Sequence, residues 1–149
     1  MCITITSRLS IFLLIFSLFS CDSLAANNFN GNWINNGSGN TRVGNLKLSD
    51  NKITIENMAS YSIAKSMMSG KSQIYKVAKV DKKQDPNGCG PSEKATYIVI
   101  SPLPPLEGLN QEAIYVYFYG GSHIPNVKEL KDDPAVCSIY SYGRDVKAH

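Results

Sequence analysis

Histidine limits the chemistry open to this chain. Its 149 residues include two, His123 and the terminal His149. A serine hydrolase would have to build its base from His123 in the run Gly120-Gly121-Ser122-His123. Adjacency of Ser122 and His123 in sequence does not make a nucleophile and base pair, and a surface loop histidine is the simpler reading. Asp81, Asp85, Asn87 and Gly88 faintly resemble a calcium loop, but the spacing and the closing Glu do not match the EF-hand pattern. A solvated turn is expected there instead. The acidic residues Asp50, Asp85, Glu93, Glu107, Asp132 and Asp133 fall mostly in predicted loops, where solvated charge is the default for carboxylates. No glycine-rich phosphate loop lies between a strand and a helix. The expectation is a protein with no catalytic residue, no metal and no cofactor.

Cysteine is the other reactive side chain, and its reading depends on the N-terminus. Arg8 precedes the apolar run 9–19, and Ser23-Leu24-Ala25 supplies small residues at the −3 and −1 positions of a cleavage site. The run is short for a membrane-spanning helix. Residues 1–25 are therefore expected to be a signal peptide and residues 26–149 a single exported β domain. Cleavage removes one charge of each sign, Arg8 and Asp22, and leaves the net charge at +3. That small excess excludes a dedicated nucleic-acid binder. Leu18-Phe19-Ser20-Cys21 offers an alternative, because it resembles a bacterial lipobox with Cys21 as the lipidated first residue. A membrane attachment would follow only in that case. Of four cysteines, Cys89 and Cys137 remain in the domain, and in a periplasmic or secreted protein two cysteines are expected to pair.

These residues must be positioned by strands. Glu112 to Gly120 alternates, with Ile114, Val116 and Phe118 in one phase and Tyr115, Tyr117 and Tyr119 in the other. Leu46 and Leu48, then Ile53 and Ile55, flank Asp50-Asn51 and predict a hairpin. Ser60 to Ala64 alternates weakly, and Met67-Met68-Ser69-Gly70 is expected to turn. Gln73 to Asp81 carries mixed phases, which predict a bulge or an exposed edge. Ala95 to Ser101 is continuously apolar and predicts a buried strand. Pro102-Leu103-Pro104-Pro105-Leu106 is expected to leave the sheet. Pro125 to Lys131 is expected to make one helical turn, and Val136 to Gly143 the last strand. The fold class is all-β: about eight antiparallel strands closed into a small barrel, or stacked as a sandwich.

Phe29-x-Gly31-x-Trp33, at the start of the first strand, resembles the opening signature of lipocalin-like (calycin) barrels. Gly31-Asn32-Trp33-Ile34-Asn35 is also similar to the opening strand of avidins. The resemblance covers a few residues. It implies a barrel whose bottom Trp33 closes, with Gly31 allowing close packing over it, and a small apolar ligand inside. Trp33 is the single tryptophan, so the several that line the biotin site of avidins have no counterpart.

Tyrosine carries the remaining signal. If the last two strands pair, Tyr115, Tyr117 and Tyr119 with Tyr140 and Tyr142 would form one aromatic recognition face. Tyrosine also suits half-buried strand positions with no such role. The leading expectation is a non-catalytic exported domain that binds another protein, in the manner of periplasmic inhibitors and immunity proteins. The alternatives are a lipocalin-like carrier of a small apolar ligand and a small hydrolase using His123.

Overall fold

The computed structural model describes residues 28–36, 43–82, 89, 94–104 and 111–145, without the side chains of residues 65, 66 and 82. The expected signal segment, Cys21, Asp85, Asn87, Pro105 and Leu106 lie outside them. Eight strands follow in chain order: β1 (Gly31–Asn35), β2 (Leu46–Ser49), β3 (Lys52–Ile55), β4 (Ala59–Ser69), β5 (Ser72–Lys82), β6 (Tyr97–Pro102), β7 (Gln111–Tyr119) and β8 (Val136–Asp145). Each pairs antiparallel with the next, and β8 returns to β1, so the sheet closes into a barrel. Closure leaves the sheet without a free edge strand.

Alternation decides what fills the barrel. Leu46 and Leu48 pair with Ile55 and Ile53 across the Asp50-Asn51 turn, and all four point inward. Ile98 and Ile100 face Phe118 and Val116 in register and are fully buried. Tyr61 on β4 and Phe118 on β7 come from walls that are not neighbours in the sheet. Their rings meet with centroids 5.3 Å apart, so the bore is occupied at that level.

The mixed phases of β5 come from a bulge. Ser62 pairs with Lys79 and Ile63 with Val77, so the register skips Ala78. A second shift lies between Lys65 and Met67. These two breaks hide β4 from a simple alternation count. The expected turn at Met67 to Gly70 is in fact the end of β4, and the chain reverses at Gly70 and Lys71. Pro102 is likewise the last residue of β6, paired with Ile114, a strand-end position that proline tolerates.

Cys89 and Cys137 form a disulfide across a sequence separation of 48. In the chain-entropy account a loop of that length stabilises the fold by about 4 kcal/mol. The bridge accords with an oxidising compartment.

A second, smaller core sits outside the barrel. Ile74, Tyr97, Val99, Tyr117 and Tyr119 point outward from β5, β6 and β7 and are buried by Leu130, with Val127, Ala135 and Val136 packed around them. The covering segment leaves at Gly120 and returns at Ala135, and the Gly120 N–H donates to the Ala135 carbonyl at 2.8 Å. Its ends therefore meet, as in an Ω-loop. The expected helical turn is a succession of tight turns, in which Glu129 N–H donates to Asn126 and Asp132 N–H to Glu129.

Candidate functional site

The five tyrosines do not form one face. β7 and β8 do pair, but Tyr140 lies opposite Val116 and Tyr142 opposite Ile114, so both share the inward phase of those residues. Tyr115, Tyr117 and Tyr119 point outward. Tyr117 and Tyr119 are buried beneath the 120–135 segment, which leaves Tyr115 half-buried at its margin. The outward surface near it consists of Tyr115 and Ala113 on β7, Ile139 and Ser141 on β8, and Ile34 on β1, while Gly143 is buried under the Asn36 side chain. Ile34 is 60% exposed and Ile139 43%. The register sets Ile34 beside Gly143, Ser141 beside Tyr115, and Ile139 beside Tyr117. Two isoleucines thus stand in water on either side of Ser141.

His123 serves the covering segment. Its Nε2 lies 2.7 Å from the Tyr119 hydroxyl, and among the described residues no hydrogen bond joins it to Ser122. Burial pushes the Tyr119 pKa up, and the Asp133 carboxylate beside the hydroxyl raises it further. A phenol held in its protonated form is a pin for the loop and a poor nucleophile. Thr96 Oγ1 donates to the carbonyls of Tyr119, at 3.0 Å, and of Gly121. A Cβ at position 121 would overlap the Tyr119 ring, so glycine is needed where the loop crosses it. Asp81 pairs with Lys79 at 3.1 Å on the surface. Among the described residues no three His, Cys, Asp or Glu side chains gather as a metal site.

Trp33 plugs the end of the barrel where β1 begins and β8 ends. It is buried, and its indole N–H donates to the Phe29 carbonyl at 2.8 Å. The Arg144 guanidinium lies 4.1 Å from the ring centroid, a cation–π stack. Arg144 also donates to the carbonyls of Asn30 (2.8 Å) and Asn28 (3.1 Å) and pairs with Glu112 at 2.7 Å. Gly31 adopts φ +124°, and a Cβ there would press on Arg144 at 3.3 Å. The glycine two residues before Trp33 thus admits the arginine that covers it. Arg144 was absent from the sequence reading. Its partners lie up to 116 residues away, and no local pattern marks it.

Beside this plug a half-open cavity of about 150 Å³ remains, lined by Phe29, Trp33, Pro102, Leu103 and Ile114, with Gln111, Glu112 and Arg144 at its polar side. A larger, shallower groove of about 490 Å³ runs along the outer face of β1–β3 between Asn32, Lys47, Thr54 and Glu56.

Comparison of the chain with protein-family models, with curated proteins and with solved structures gives no match.

Proposed function

We propose that this is an exported, non-catalytic domain that binds another protein through the outer surface of β1, β7 and β8. The observation that carries the reading is the exposure of Ile34 and Ile139 on one side of a barrel whose interior is packed. Ile34 and Ile139 flank Ser141 and Tyr115 on this face, and an apolar surface rimmed by polar residues offers a partner a contact site. Tyr115 adds a rigid amphipathic ring at their margin, and Ser141 and Ala113 leave room for a partner's side chains to approach the sheet. A net charge of +3 suits an acidic or neutral partner better than a strongly cationic enzyme.

The lipocalin-like reading draws its support from the Trp33 plug and the eight-stranded meander. The contact between Tyr61 and Phe118 across the bore weighs against apolar cargo inside. The mouth cavity, at about 150 Å³, is also below the roughly 300–1,000 Å³ of drug-sized ligand pockets.

The test is a native pull-down of tagged protein from its own envelope fraction, run beside the double variant Ile34→Asp, Ile139→Asp. A stoichiometric protein partner is expected with the wild type and a loss of about tenfold or more with the variant. A partner held equally by both would remove this surface from consideration. A bound lipid without a protein would move the assignment to the carrier.

A further inference from the structure

We propose that the cavity beside Trp33 is a binding site for a small organic amine, an ammonium group carrying an apolar part about the size of a benzene ring. The floor sets the apolar part. Phe29, Trp33 and Ile114 are all at least 95% buried and meet at the cavity, with Pro102 and Leu103 closing one side. A cavity of about 150 Å³ lined by apolar side chains is large enough to hold benzene.

The polar side sets the head group. Arg144 looks like an anion site, but its guanidinium is already engaged by the carbonyls of Asn28 and Asn30, by Glu112 and by the Trp33 face. An incoming carboxylate would compete with Glu112 for it. Acceptors, by contrast, remain available. Both contacts from Arg144 fall on Glu112 Oε2, and Oε1 has none among the described residues. Gln111 spends its amide N–H on Asp145 at 3.1 Å, which leaves its carbonyl oxygen available as an acceptor. Among the described residues the charged groups that line the cavity, Glu112 and Arg144, cancel, so the free acceptors and not a net charge decide the head group. An ammonium group finds free acceptors there, one of them a carboxylate oxygen, whereas an anion would have to compete with Glu112 for Arg144.

The same chemistry comes from a free amine or from a lysine of a bound protein, whose stem is apolar and whose end is an ammonium group. The site stands independently of the β1–β7–β8 contact surface.

Trp33 is the only tryptophan, so its fluorescence reports on the cavity directly. Benzylamine, toluene, benzoate and a lysine blocked at its α-amino and carboxyl groups are titrated into the purified protein. The expected result is a saturable change with benzylamine and binding of benzoate weaker by about fivefold or more. Tighter binding of blocked lysine than of benzylamine would identify the source as a protein side chain, and the reverse a free ring-bearing amine. Glu112→Gln keeps an oxygen for Arg144 and is expected to weaken benzylamine while leaving toluene unchanged. If that variant does not fold, the comparison of the probes on the wild type decides alone. A linear, unsaturable response to benzylamine, or equal binding of benzylamine and benzoate, overturns the assignment.

Discussion

The outer faces of β5–β7 and of β1–β3 occupy equivalent positions on one barrel and have opposite chemistry. On β5–β7 the outward residues are Ile74, Tyr97, Val99, Tyr117 and Tyr119, all buried under the 120–135 segment. On β1–β3 they are Asn32, Lys47 and Thr54, paired side by side, with Ile34 exposed beyond them on β1. Both faces share the same inward core, so the barrel itself does not dictate the difference. The covering segment does. Where the chain folds back, both phases of a strand must be apolar, and β6 reads as a continuous run. Where it does not, β2 and β3 alternate with a polar outward phase, and Ile34 on β1 departs from that rule. The segment is held at its base by the Gly120–Ala135 hydrogen bond and at its start by the pin between Tyr119 and His123. The disulfide lies just past its return, at Cys137.

Alkaline pH should produce the largest effect, because it acts on the buried tyrosines beneath the cover and inside the barrel together. Burial raises the pKa of Tyr117 and Tyr119 beneath the cover and of Tyr142 inside the barrel, and lifts Tyr75 to about 12, with Asp50 adding to the last. The folded state therefore holds these protons more tightly than the unfolded chain, whose tyrosines titrate near about 10. By linkage their contribution to stability is complete below about pH 10 and is lost as pH rises toward about 12 and beyond. Equilibrium unfolding followed against pH should show their full contribution up to about pH 10 and a steep fall above it. Tyrosinate absorbance should lag behind that of a denatured control. Ionisation of every tyrosine near about pH 10 with the fold intact would contradict the burial of this set.

Leucine and isoleucine give the next test, because the same truncation can be made on each side. Leu130 is 2% exposed and plugs the cover onto β6 and β7. Leu130→Ala should cost about 2–4 kcal/mol in denaturant unfolding. Ile34 stands in solvent, and Ile34→Ala should change stability by no more than about 0.5 kcal/mol. If both variants lose the same amount, the distinction between a covered and an open face fails. Partner capture should respond in the opposite way, with Ile34 substitutions reducing binding while leaving the fold intact.

How much of this was readable in sequence follows from the same physics. The β2–β3 hairpin was legible because Leu46, Leu48, Ile53 and Ile55 keep strict phase across a two-residue turn. The disulfide was legible because only two cysteines remained in the domain. The all-β class and the number of strands were legible from alternation, whereas barrel against sandwich was not, because closure depends on β8 returning to β1. The length of β4 was not, since two register shifts scramble its phase and place Met67 and Met68 in a strand that resembles a turn. The face of each tyrosine was hidden for a related reason. Phase within β7 is visible, but which phase of β8 shares it depends on register, and the register slips between Phe118 and Tyr119. The cover over β5–β7 left one local sign, the unbroken apolar run of β6. That sign shows that both faces are buried without showing which segment does the burying.

The smallest effect concerns two buried hydroxyls, one on each side of the β7–β8 wall. The Tyr119 hydroxyl, outside, is bonded to His123. The Tyr142 hydroxyl, inside, is buried and has no hydrogen-bond partner among the described residues. An unpartnered buried polar group carries its desolvation cost with nothing to offset it, whereas a bonded one returns a net of about 1 kcal/mol. Tyr119→Phe should therefore destabilise the protein by about 1 kcal/mol and release His123. Tyr142→Phe removes the uncompensated oxygen while keeping the ring against the core, so it should be neutral or stabilising by up to about 1 kcal/mol. Chemical denaturation of the two variants side by side reads the sign. Destabilisation by Tyr142→Phe as large as that of Tyr119→Phe would mean that the inner hydroxyl is satisfied in solution, and the interior beside β8 would then have to admit water.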